Sequence, residues 1–295
     1  MSVAFCGLTL EHPVINGSGT FDAIAARRAF GDALLERFPF SAFVSKTITL
    51  APRAGNPPPR LWEAPAGLIN SIGLPNRGLH GYLEHDLPEL AELPVPLITN
   101  VMGSTAADVI ELVAALGARD EVAAIELNVS CPNVKTGLDI GADPGSLRAF
   151  VREVRPHTDK PLIVKLTPNT ADVAAVAEAA EAEGADAVSL INTLRAMALA
   201  PGRSHPAAPW LGGGTGGLSG PAIFPIALAQ VAAVARRVAV PIIGMGGVRS
   251  GRQARDLLDA GATLVAIGTE TFRDPLAGAR IAAELEHGAP ARSVR

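Results

Sequence analysis

Asn128, Ser130, Cys131, Asn133 and Lys135 crowd into one short polar stretch, IELNVSCPNVKTG at 125–137. An apolar run ends at Asn128, and a Pro-Asn pair follows the cysteine. A cysteine so placed could be a nucleophile, a metal ligand or a general base. Metal binding calls for a second Cys or His at ligand spacing, and the stretch has neither. A nucleophile calls for a histidine beside it in space. His12, His80, His85, His157, His205 and His287 all lie outside the polar ends of the apolar runs. A base is the role that fits, set against the inert buried thiol that most free cysteines are. Cys6, the other cysteine, is assigned to that inert class.

Such a loop needs elements to position it. Eight apolar runs recur along the chain, each bounded by a turn signal: PVIN (13–16), AFVSK (42–46), PLITN (96–100), AAIELN (123–128), PLIVKL (161–166), DAVSLIN (186–192), VPIIGMG (240–246) and ATLVAIG (262–268). Runs this continuous suit strands covered on both faces of a parallel sheet. Ala-rich segments with helical spacing lie between them, at 105–117, 146–156, 171–184, 221–237 and 250–261. EAEGAD and LLDAGAT end such segments in glycine, a helix stop. The alternation predicts an α/β fold, a (β/α)8 TIM barrel with an inserted segment after strand 2, with residues 1–295 as a single domain. A doubly wound open sheet is the rival. The segment from 47 to 95 is too long for one βα connection, and insertions of that length are usually functional. The segment from 193 to 218, with GGGTGG, is irregular.

In a barrel the active site sits at the C-terminal strand ends. Those ends carry Asn16, Gly17 and Ser18; Lys46 and Thr47; Asn100; Asn128; Lys165; Asn192 and Thr193; Gly246 and Gly247; Gly268 and Thr269. This is a ring of amides, hydroxyls, glycines and two lysines. Glycine turns after strands 7 and 8 can bring backbone N–H groups to a phosphate. GGLSGP adds a third turn, in which Ser219 or Gly220 could cap a helix begun by Pro221. The lysines suggest negative charge to be met. Flavin mononucleotide has a polar pyrimidine edge, a ribityl chain and one phosphate, and suits such a ring. Taken singly, each feature has a plainer reading: Gly-Gly as a tight turn, Asn as a turn former, Lys as a snorkelling side chain.

Composition narrows the partners. The chain has 295 residues, is 48% hydrophobic and carries a formal charge of -4. No basic block marks nucleic acid or an anionic membrane as a partner. No apolar stretch is long enough to span a membrane, and the N-terminus has no signal-peptide pattern. Two cysteines make no disulfide framework, so a reducing, cytoplasmic setting is expected.

At this point the motifs carry a resemblance. NVSCPNVK (128–135) resembles the active-site loop of the class 1 dihydroorotate dehydrogenases. SKTITLAPRAGNPPPR (45–60), LINSIGLPNRG (68–78), INTL (191–194), GGLSGPAI (216–223) and IIGMGGV (242–248) are similar to that family in the same order. GNPPPR with INTL and GGLSGPAI looks most like class 1B, the catalytic subunit that works with an iron–sulfur flavoprotein and NAD. The resemblance implies an FMN barrel that oxidises dihydroorotate to orotate in pyrimidine biosynthesis. It implies Cys131 as the base taking the C5 proton and Lys165 as the cation at the flavin pyrimidine edge. Lys46 would lie between flavin and substrate. Asn70, Asn128, Asn133, Asn192 and Thr193 would bind the substrate, with Ser71, Ile72, Gly73 and Leu74 lining the pocket. Ser18, Lys46, Thr47, Asn100, Asn128, Lys165, Ile191, Gly220, Gly246, Gly247, Gly268 and Thr269 would hold FMN. FAD and a [2Fe-2S] cluster are expected on a partner subunit, and a homodimer of this chain within a heterotetramer. No metal site is expected.

The chain departs from the pattern after INTL, where RAMALAPGRSHP stands, in a region the resemblance places near the partner-facing side. A fumarate-dependent class 1A-like enzyme and the flavin domain of a dihydropyrimidine dehydrogenase remain alternatives. So do a flavin-free aldolase-like barrel using Lys165 as a Schiff base, and a non-catalytic barrel scaffold.

Overall fold

The computed structural model describes residues 2–130, 140–202 and 208–287. Cys131 and Asn133, the expected base and one expected substrate reader, lie outside the described residues. The strands in chain order are β1 Val3–Phe5, β2 Leu8–Leu10, β3 Val14–Asn16, β4 Phe43–Val44, β5 Leu61–Ala64, β6 Gly67–Asn70, β7 Leu97–Val101, β8 Val122–Asn128, β9 Leu162–Lys165, β10 Ala187–Leu190, β11 Leu194–Ala196, β12 Gly216–Ser219, β13 Ile242–Met245 and β14 Leu264–Ile267.

Each of the eight apolar runs holds one strand of a parallel sheet in the order β3-β14-β13-β10-β9-β8-β7-β4. The strands are buried on both faces, as expected of a sheet wrapped in helices. The order brings β3 and β4 to its two ends, and a side chain joins them. Asn16 Nδ2 donates to the Val44 carbonyl at 2.8 Å, and Asn16 Oδ1 accepts from the Val44 N–H at 2.8 Å. One fully buried amide thus stands in for a ladder pair and closes the (β/α)8 barrel.

The outer helices lie near the predicted segments. They span Ala106–Gly117, Pro144–Val154, Val173–Ala182, Phe224–Ala235 and Gly251–Asp259. Thr105 and Asp108 form a capping box, while Asp143, Asp172 and Ser250 cap three more helices through their side chains. The fourth is entered through a 3-10 turn, Pro221–Ile223, with Gly220 at the N-cap and Pro221 at the first position, one of the two expected arrangements; no side chain caps it. The Ser219 hydroxyl instead donates to the Leu68 carbonyl and accepts from Thr269 Oγ1.

Side chains alternate in and out along a strand, and the barrel interior follows that parity. Ile15, Val44, Ile98, Ala124, Ile163, Ala187, Ile243, Leu264 and Ala266 share one cluster inside it. Phe5 and Leu10 join that cluster from the hairpin β1–β2, which stoppers the N-terminal mouth. The hairpin turns on Cys6 and Gly7, both at positive φ, as a tight two-residue hairpin requires. Burial, helped by Asp186, pushes the Cys6 thiol up to about 11. It therefore stays protonated at neutral pH, in keeping with an inert cysteine.

The two irregular segments build a second sheet, of order β11-β12-β6-β5. Its strands are only partly buried. β11 begins just beyond the C-terminal end of β10, and β12 runs into the turn before helix Phe224–Ala235. The insertion expected after strand 2 is therefore half of a sheet whose other half comes from 194–219.

Candidate active site

Asn100, Glu126 and Lys165 meet inside the barrel, two residues along from the apolar layer of Ile98, Ala124 and Ile163. Asn100 is fully buried, Glu126 is 1% exposed and Lys165 is 6% exposed. Asn100 Nδ2 donates to Glu126 Oε1 at 2.7 Å. Lys165 Nζ lies 3.9 Å from the same oxygen. Ser189 Oγ donates to Glu126 Oε2 at 3.4 Å. Asn100 Oδ1 is buried and has no partner among the described residues. Sequence reading missed Glu126 because it interrupts an apolar run. Strand parity could have found it: Ala124, Glu126 and Asn128 share one face of β8.

A second group sits at the strand ends above. Asn192 Nδ2 donates to Ser130 Oγ at 2.9 Å and to Asn128 Oδ1 at 3.3 Å. Asn192 Oδ1 accepts from the Thr193 N–H at 2.9 Å. The expected readers Asn128, Asn192 and Thr193 are thus neighbours, and Ser130 ties them to the start of the 130s loop. Ser18 Oγ donates to the Ser45 carbonyl at 2.8 Å and lies 3.4 Å from Thr47 Oγ1. Ile191 is buried, and a Cβ on Gly246 would come within 3.1 Å of it.

The stretch from Asn70 to Leu74 is held from outside the barrel. Asn70 Nδ2 donates to the Gly217 carbonyl at 3.2 Å. Asn56 donates its side-chain amide to Ser71 Oγ at 2.9 Å and its backbone N–H to the Ile72 carbonyl at 3.0 Å. Gly73 and Leu74 both take positive φ, which lets the chain turn back sharply. A Cβ at Gly73 would stand 2.4 Å from the Asn56 nitrogen. The GNPPPR segment therefore acts as a brace for this loop.

The glycine turns converge on a cavity of about 560 Å³, with Gly67, Gly220, Gly247, Thr269, Arg249 and Arg273 among its lining. Gly220 and Gly247 have positive φ, and a Cβ at Gly247 would fall 2.6 Å from the Gly220 carbonyl. Gly246 and Gly268 adjoin this wall without lining it. Arg249 and Arg273 were not foreseen, and each stands close in sequence to a glycine turn that was. The charged lining is mixed: Arg249 and Arg273 stand with Glu63 and Glu270, and Arg273 lies 3.9 Å from Glu270.

Lys46 is half-buried, its aliphatic chain lying against Gly19. Burial lowers its pKa, and Lys165 lowers it further, while Asp22 opposes the shift. Two cations sharing one mouth weaken the fold until an anion or electron-rich group arrives. Lys46→Met is therefore expected to stabilise the ligand-free chain at pH 7 by roughly 1 kcal/mol. A depressed lysine pKa means that the unfolded chain holds the proton more tightly. Wild-type stability then rises as pH climbs through the folded-state pKa, and the gap to the variant narrows. Melting temperatures at pH 7 and pH 10 check this; a variant less stable at pH 7 would refute it.

Among the described residues no group of three His, Cys, Asp or Glu could hold a metal ion, and no helix is long and apolar enough to cross a membrane. The family described as "Dihydroorotate dehydrogenase" matches residues 1–288. The chain is 47% identical over 287 residues to the "Dihydroorotate dehydrogenase B (NAD(+)), catalytic subunit" of Citrifermentans bemidjiense, covering 97% of this chain and 92% of that one. The proteins of the same name from Desulforudis audaxviator and Trichlorobacter lovleyi are 44% and 45% identical, each alignment covering 100% of this chain and 94% and 95% of the relative. With a match that runs from the first residue almost to the last, the chain belongs to the dihydroorotate dehydrogenase family.

Proposed function

We propose that this chain oxidises dihydroorotate to orotate, with FMN as its cofactor, in pyrimidine biosynthesis. The observation that carries the reading is the buried constellation of Asn100, Glu126 and Lys165, in a barrel that also has a glycine-walled cavity. The residues fit the cofactor. Asn100 Oδ1 is a buried acceptor with no protein partner among the described residues, ready for a ring N–H. Lys165 offers a cation where reduced flavin gathers negative charge. Gly220, Gly247 and Thr269, with backbone close and no side chain in the way, suit the phosphate. Ser18, Thr47, Ile191, Gly246 and Gly268 complete the set that would hold FMN.

FMN supplies the acceptor for the hydride from C6 of the substrate. The chain does the rest. Asn70, Asn128, Asn133, Asn192 and Thr193 hold the substrate's carbonyls, ring nitrogens and carboxylate, and the 71–74 turn closes one side. Cys131 takes the C5 proton. A thiol whose ordinary pKa is about 8.5 needs little adjustment to serve as a base near neutral pH. Asn192, bonded to Ser130 and Asn128, anchors the start of the loop that carries Cys131. Lys46 brings a second cation to the same mouth.

The relatives' names specify a catalytic subunit and NAD(+), which supports the NAD-linked arrangement over a fumarate-dependent one. We read the chain as a cytoplasmic homodimer within a heterotetramer, passing electrons to a partner that carries FAD and a [2Fe-2S] cluster. Two cysteines in the whole chain are too few to ligate such a cluster here. The test is the visible spectrum of the purified chain under anaerobic conditions. Flavin absorbance that bleaches with dihydroorotate, and not with dihydrouracil, is the expected result. A flavin indifferent to dihydroorotate, or a chain that takes up none on reconstitution, rules the reading out.

A further inference from the structure

We propose that Glu126 is a positioning residue: it anchors the Lys165 ammonium and fixes the Asn100 amide so that the asparagine meets the cofactor with its carbonyl. The proposal rests on the FMN reading and adds a residue to it. Glu126 is 1% exposed in the middle of a barrel whose neighbouring layer is apolar. A carboxylate there is costly to desolvate, and a hydrophobic side chain would serve the fold as well or better. What Glu126 does instead is organise three strands at once. Its Oε1 receives Asn100 Nδ2 from β7 at 2.7 Å and faces Lys165 Nζ of β9 at 3.9 Å. Its Oε2 receives Ser189 Oγ of β10 at 3.4 Å.

An ionised carboxylate only accepts hydrogen bonds. Asn100 must therefore turn its NH2 group toward Glu126 and its Oδ1 away. That Oδ1 is the buried acceptor left without a partner among the described residues. Glu126 thus converts an amide that could face either way into a fixed acceptor. Its charge also balances Lys165, so the cation offered to the ring is moderated from behind.

The experiment is Glu126→Gln in the FMN-loaded chain, equilibrated with a reference redox dye. Glutamine keeps the shape and removes the negative charge beside Lys165. Reduced flavin carries added negative charge at the pyrimidine edge, so the ratio of reduced to oxidised flavin at a fixed dye potential should rise about tenfold. Glu126→Asp, which keeps the charge, should stay within about twofold of wild type even where it melts earlier. A purely structural glutamate would move the melting temperature and leave the ratio alone; an unshifted ratio in Glu126→Gln overturns the proposal. Should that variant not fold, flavin-free Glu126→Gln/Lys165→Met is compared with Lys165→Met. Pairing predicts that the double variant is the more stable, and a double variant no more stable than Lys165→Met overturns it. A wild-type chain that takes up no flavin defeats the functional reading and this inference with it. A loaded wild type with an unshifted variant defeats this inference alone.

Discussion

Lys165→Met is expected to lose activity by about 10²–10³-fold, the usual effect of removing one charge-stabilising group from an active site. The same change is expected to weaken the fold by about 3–5 kcal/mol at pH 8, because it leaves Glu126 as a buried charge without a counter-ion. Asn100 and Ser189 still donate to that carboxylate, but neither carries charge. Urea unfolding of wild type, Lys165→Met, Glu126→Gln and the double variant checks this. A coupling energy near zero in that cycle would mean that Lys165 and Glu126 do not act as a charge pair.

Asn16→Leu is expected to cost about 2–4 kcal/mol while leaving the ligand-facing residues unchanged. Leucine fills a comparable volume but strands the Val44 N–H and carbonyl, both now bonded to the asparagine amide. Each buried backbone group left without a partner costs about 1–3 kcal/mol. Asn16→Asp should also destabilise, since its carboxylate keeps the bond from the N–H and meets the carbonyl with repulsion. Denaturant midpoints with unchanged slopes would support the assignment. A loss below about 0.5 kcal/mol would show that the seam between β3 and β4 is held by something else.

Asn16 also marks where sequence reading reaches its limit. It was grouped with the polar strand ends, yet its amide spends both hydrogen-bonding edges on the barrel itself. Asn100 and Asn16 look alike in the sequence, each closing an apolar run; only the partners found in three dimensions separate a clasp from a reader. The eight barrel strands were legible because burial on both faces leaves continuous apolar runs. β5, β6, β11 and β12 were not, because they are short and only partly buried, so no continuous apolar run marks them. β1 and β2 have only three residues each, too short for a pattern. Helix Ala277–His287 buries an apolar side and was not among the segments named, while helix Ala23–Phe30 buries only Ala23 and leaves Phe30 exposed. The glycine cavity was foreseen from its turns. Its mixed charged lining was not, since arginine and glutamate at loops are usually solvated surface.

The sheet β11-β12-β6-β5 has a consequence for how the protein comes into being. Gly217 to Ser219 pair with Leu68 to Asn70, so the two partners are separated by most of the central chain. During synthesis the Asn70–Leu74 turn leaves the ribosome long before the strand that backs it. Until about residue 219 emerges, β6 presents an unpaired edge, a template for association with other chains. The nascent protein therefore passes through an interval in which much of its barrel can begin to pack while the wall of its pocket is still open. Chaperone dependence or aggregation should concentrate in that interval, and slow codons between positions 75 and 215 would lengthen it.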